Sequence, residues 1–129
     1  MKKIIYSISI ISALFLSSCS SKPKKEGQIT LKNGEDKEVS VDYQISNYDE
    51  FASQIQNKED FQKIIEKASS EAHKTCKFMP TYEPKQISIL ISNDTVTTFL
   101  TFNAKNAFGV PDSEISFSTF KGTTFIDSF

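Results

Sequence analysis

The chain's single histidine and one of its two cysteines stand three residues apart, as His73-x-x-Cys76. No other spacing in the sequence suggests thiol catalysis or a metal centre. A nucleophilic cysteine needs a lowered pKa, supplied by a helix N-terminus or a neighbouring cation. Cys76 instead falls just beyond the C-terminal end of an expected helix, where the partial negative charge disfavours thiolate. Lys74 and Lys77 offset this only in part. Zinc wants four ligands and this pair supplies two. No metal and no other cofactor is expected, and Cys76, close to Phe78 and Met79, reads as a buried apolar residue. Carboxylates are the other chemistry on offer. Glu35, Asp36 and Glu38 fall in a turn, and Glu50, Glu59, Asp60, Glu66 and Glu71 on helices. Two of them could serve a small hydrolase, but the spacing selects no pair. There is no Gly-rich phosphate loop, nucleophile elbow or metal-binding loop pattern, so no catalytic residue is assigned.

The elements that must position these residues form one small domain, since the chain has 129 residues. Apolar residues make up 38% and charged residues 24%, which suits a folded chain. Net charge is −1 and every basic residue is a lysine. That balance argues against a nucleic-acid partner, and without arginine there is no fork-shaped donor for phosphate.

The first residues carry a separate message. Met1-Lys2-Lys3 precedes an apolar run from Ile4 to Leu16, broken only by serine. As a helix this run spans about 20 Å, short of the roughly 30 Å of a bilayer core. Basic start and short apolar run together describe an export signal. Leu16-Ser17-Ser18-Cys19 resembles the bacterial lipobox, with an aliphatic residue three before the cysteine and a small residue just before it. The resemblance covers only these first residues. It implies cleavage between Ser18 and Cys19, with diacylglycerol on Cys19 through a thioether. Two or more acyl chains would hold the domain at a membrane. The mature chain would lose Lys2 and Lys3, leaving thirteen lysines against sixteen acids and a net charge of −3. The location implied is the bacterial cell envelope. Ser20 stands where some Gram-negative families carry a retention aspartate, which favours the outer membrane in such a cell. With Cys19 consumed, Cys76 would be the one remaining thiol and no internal disulfide could form.

Residues 20–27 lack apolar side chains apart from Pro23, so 19–27 read as a lipidated flexible tether and the domain as 28–129. Ile29 and Leu31, then Val39, Val41, Tyr43 and Ile45, alternate as a hairpin. A two-residue Asn33-Gly34 loop would set Leu31 against Asp36, so an odd loop is required. Lys32-Asn33-Gly34 with Gly34 left-handed is the natural choice. Asn47 and Asn57 each precede acidic residues and begin a short and a long helix. Phe61, Ile64, Ile65, Ala68 and Ala72 form the apolar stripe of the long one, which should end near Lys74. Ile87, Ile89 and Ile91 meet Leu100, Thr98 and Val96 across a two-residue Asn93-Asp94 turn. Ile115 and Phe117, then Phe125 and Ile126, complete the strands around a Lys121-Gly122 turn. Sequential hairpins around a helical middle predict an α+β fold: an antiparallel sheet with the helices packed across one face.

Residues 103–112 carry Phe108 and Val110. Either the loop leaves the sheet and Phe108 is an exposed interface anchor, or the strand runs to Ala107 and Phe108 caps the core at a tight Gly109 turn. The second reading is the simpler one. The expected function is a non-catalytic binding module, attached to the membrane by lipid on Cys19 and serving an envelope protein partner. An inhibitor or immunity-type protein that plugs a cleft with 103–112 is one alternative, and a two-carboxylate hydrolase another.

Overall fold

In a computed structural model, which describes residues 24–129, the two asparagines do begin helices, by different means. The Asn57 side chain accepts from the Asp60 N–H at 2.8 Å and starts helix α2, Lys58–Lys74. Asn47, in a left-handed conformation, starts helix α1, Tyr48–Gln54, without capping it; its amide donates to the Glu50 carboxylate instead. The signal segment 1–18, the lipobox and Cys19 lie outside the described residues.

Among the described residues six strands form one sheet in chain order: β1 (Lys24–Lys32), β2 (Glu38–Ser46), β3 (Glu83–Ser92), β4 (Thr95–Lys105), β5 (Pro111–Lys121) and β6 (Thr124–Ser128). A short 3-10 turn, Met79–Thr81, precedes β3. The class is α+β as expected. The wholly antiparallel sheet is corrected in one place, because β2 and β3 pair in parallel, Tyr43 beside Ile87 and Ile45 beside Ile89. The reason lies in the connection. Helix α2, about 25 Å long, returns the chain along strands of about 30 Å. β3 therefore starts at the end where β2 started.

Backbone pairing reaches further upstream than side chains alone suggested. Lys24 pairs with Ser46 and Gly27 with Tyr43, so the sheet begins four residues before Gln28. Two contacts hold this end without an aliphatic side chain. Gly27 lies against the Tyr43 ring, where an added Cβ would sit 2.8 Å from the hydroxyl. The Lys25 ammonium rests 4.9 Å from the centre of the Tyr48 ring.

The core fills the space between the sheet's inner face and α2. Val41, Ile45, Ile87, Ile89, Val96, Leu100, Phe102 and Phe120 meet Ile64, Ile65, Ala68 and Ala72 there, all buried. The β3–β4 hairpin has the expected register, Ile91 to Val96 and Ile87 to Leu100. On β5 the inward face is made mostly of serines. Ser116, Ser118 and Phe120 point inward, whereas Ile115 is 58% exposed. Phe117 packs on the outer face between Phe99 and Phe129, tilted to one and edge-on to the other, at 5.1 and 5.6 Å. Pairing of Phe99 with Phe117 sets this parity. The inward serines are small, and Ala68 and Ala72 of α2 can approach them closely.

Glu71 fastens α2 to the last strand. Its carboxylate meets Lys67 at 3.0 Å and Lys74 at 2.8 Å, and accepts from the Ser128 hydroxyl at 3.3 Å. Lys74 and Lys67 hydrogen-bond it and lower its pKa to about 2, against an ordinary 4.5. A carboxylate depressed on folding adds stability above its unfolded pKa and loses it as pH falls through the folded one. Both lysines are well exposed, so solvent screens most of the gain. Glu71→Gln is expected to cost about 1 kcal/mol at neutral pH. The gap to the native chain should close between pH 4.5 and 2, as read by thermal melts across that range.

Candidate functional site

The sheet's topology gathers three segments at one end. β1 ends there, β2 and β3 begin there, and the β4–β5 hairpin turns there. We call this end apical. Hydrogen bonds tie the segments together: the Gly34 N–H donates to the Tyr82 carbonyl at 2.8 Å, and the Lys105 N–H to the Thr81 hydroxyl at 2.9 Å.

Two of the segments are the same loop built twice. In the first, the Asn33 N–H donates to the Lys37 carbonyl and the Asp36 N–H to the Asn33 carbonyl. The Asn33 side-chain oxygen accepts from the N–H groups of Glu35 and Lys37. In the second, Asn106, Phe108, Gly109 and Val110 repeat every one of these bonds. The fourth residue is left-handed in each, Asp36 at φ 65 and Gly109 at φ 74. This is a three-residue hairpin loop, a type I turn closed by a left-handed residue. The expected odd loop after β1 is therefore present, but two residues downstream. Asp36, not Gly34, is left-handed. Leu31 then faces Val39 and Ile29 faces Val41, so apolar side chains pair with each other.

The third position of the loop is exposed in both copies. Glu35 holds it in the first loop and Phe108 in the second. Phe108 is 91% exposed, so the expectation that it caps the core is overturned. β4 ends at Lys105 and β5 resumes at Pro111, which shortens the expected 103–112 loop to five residues. Gly109 serves the turn and leaves no shelter for the ring beside it. Val110 is also exposed, as are Phe78 and Met79 on the neighbouring turn. These last two carried a readable signal, since an apolar pair between Lys77 and Pro80 belongs to no periodic stripe.

The His73–Cys76 pair is taken up by packing. The His73 ring stacks on Tyr82 at 4.8 Å, and its Nε2 donates to the Met79 carbonyl at 2.9 Å. Cys76 is buried and its thiol points to the Ala72 carbonyl at 3.7 Å. Burial pushes this thiol up from its ordinary pKa, and the Glu114 carboxylate adds to the effect. Among the described residues the buried polar side chains are Ser69, Thr98, Ser116 and Ser118, all hydroxyls. Glu35, Asp36, Glu38, Glu59 and Glu66 are exposed, and Glu50, Asp60 and Glu71 half-buried. Among the described residues no three of His, Cys, Asp or Glu converge, and no helix is long and apolar enough to cross a membrane. Comparison with protein-family models, curated proteins and solved structures finds no match to this chain.

Proposed function

We propose that this chain is a lipid-tethered, non-catalytic binding module of the bacterial cell envelope, and that the apical Phe108 loop is its contact with a protein partner. One observation carries the reading. Phe108 is 91% exposed on a loop whose backbone is held by its own Asn106. An exposed aromatic on a rigid support buries large area at little entropic cost, which is what interface anchors do. Val110 on the same loop is exposed too, as are Phe78 and Met79 on the turn that Thr81 ties to the end of β4. The direction of the sheet supports the same reading. β1 starts at the basal end, only five residues after Cys19, a reach of at most about 18 Å. A lipid on Cys19 would leave the apical loop on the far side from its own membrane. The narrow hairpin tip also favours, as a second reading, an inhibitor that inserts Phe108 into an enzyme cleft.

The test uses a photo-crosslinking amino acid at position 108 in the full-length chain made in cells. The same amino acid at position 35 is the control, because Glu35 holds the equivalent place in the twin loop. A discrete adduct from 108 alone is expected. Its loss is expected in a Cys19→Ser variant, which should also leave the membrane fraction in high salt. Equal adducts at both positions, or none at 108, would refute the assignment, and a partner captured through its active-site cleft would select the inhibitor reading.

A further inference from the structure

Helix α2 packs against β4, β5 and β6. On that side Glu71 and Lys67 close it onto Ser128 and Phe125. On the other side a cleft of about 1220 Å³ runs between α2 and β1. Ile29, Leu31, Tyr43 and Phe61 form its apolar floor, and Gln62 and Glu66 stand on its helical wall. Small-molecule pockets are usually ~300–1,000 Å³, so this cleft has room for a longer occupant.

The β1 wall is an edge strand, with β2 on one side and, among the described residues, no strand on the other. In an antiparallel ladder alternate residues turn their N–H and C=O groups towards the partner. The Asn33 N–H points to Lys37 on the β2 side, which assigns Leu31 and Ile29 to β2 as well. The backbone groups of Glu26, Gln28, Thr30 and Lys32 then face the cleft edge. One bond agrees with this parity. The Gln62 side chain, from α2, donates to the Thr30 carbonyl at 3.3 Å. The same amide donates to the Glu66 carboxylate at 3.1 Å. Gln62 thus stands where an added strand would donate, and it brings Glu66 beside that place. Among the described residues Glu66 is in no salt bridge.

We infer that the β1–α2 cleft binds an extended segment of another protein as a seventh strand, with a lysine or arginine of that segment opposite Glu66. Backbone N–H groups of the segment would replace Gln62 at the Thr30 carbonyl, and its alternate apolar side chains would cover Ile29, Leu31 and Phe61. This surface differs from the apical loop, and its test is independent of the crosslinking result.

Random peptides displayed on phage are panned against the immobilised full-length chain. Enriched peptides should alternate apolar and polar residues around a lysine or arginine. Thr30→Pro removes an outward N–H that the β2 ladder does not use, a change edge strands tolerate. It should weaken those peptides about tenfold, the scale of a lost hydrogen bond. Glu66→Lys should shift selection to acidic peptides. A readout on the peptide side does not depend on how these variants fold: N-methylation of alternate backbone amides should abolish binding in one parity and spare the other. Failure to enrich, indifference to Thr30→Pro together with both N-methyl parities, or a dimer of the chain that Thr30→Pro dissociates would overturn the inference.

Discussion

Gly34→Ala should lower the melting temperature more than any other single methyl added to this chain. An added Cβ would lie 2.1 Å from the Met79 carbonyl oxygen and 2.6 Å from the Pro80 carbonyl carbon. Both are backbone atoms, so no side chain can swing aside to make room. The Gly34 N–H also donates to the Tyr82 carbonyl, and any retreat of the loop breaks that bond. Overpacking of this kind costs about 3 kcal/mol. For a domain of this size the drop should be roughly 12–24 °C. Gly122→Ala is the control. Its φ is +63 but the space around it is open, so only the backbone penalty of about 1 kcal/mol applies. Equal melting temperatures for the two variants would show that the loop does not seat on the 79–81 turn as described.

Tyr82→Ala is expected to cost more still, about 3–5 kcal/mol, the range for emptying a buried aromatic site. The residue is 1% exposed and touches two elements. It stacks on His73 of α2 and packs on Phe102 of β4, and its hydroxyl lies 2.7 Å from the Ser69 hydroxyl. Tyr82→Phe isolates the polar part. It leaves Ser69 buried without this partner, at about 1–2 kcal/mol, and adding Ser69→Ala should recover part of that loss. Burial pushes the Tyr82 pKa up to about 12, the Ser69 bond opposing the rise. A tyrosine raised on folding keeps its full contribution below its ordinary value near 10 and loses it as pH climbs towards 12. The native chain should therefore lose about 2 kcal/mol more than Tyr82→Phe between pH 10 and 12. Parallel melting curves across that window would contradict the burial of the hydroxyl.

How much of this was legible depended on how many registers a segment could satisfy. The β3–β4 hairpin was fully legible, because a two-residue turn sets Ile87 and Ile91 against Leu100 and Val96, with Ile89 against Thr98, in one register only. The first hairpin was legible in parity but not in position. A glycine attracts the left-handed assignment, yet Gly34 is needed for clearance from the next turn, and Asp36 takes the strained conformation. That clearance is a tertiary contact across forty-five residues, invisible to local turn rules. The inward face of β5 was not legible, because alternation there marks Ile115 and Phe117. The packing against α2 favoured the small side chains of Ser116 and Ser118. The direction of β3 relative to β2 hung on the length of α2 and not on any strand residue. The Phe108 loop could have been read. Asn106-x-x-Gly109 is the same grammar that Asn33-x-x-Asp36 spells at the other hairpin.

The parallel pairing of β2 and β3 also orders the making of the molecule. From β3 to β6 every strand joins its neighbour through a short turn, so that ribbon can close on local contacts. The β1–β2 ribbon has no lasting partner until residues 86–90 arrive, some forty positions later in the chain. A two-stranded ribbon alone is marginal in water. The half of the sheet made first is thus completed last, and loop closure across the two helices sets the pace. A chain threaded through a membrane N-terminus first would keep an open, pairing-competent edge until its C-terminal half had followed it across.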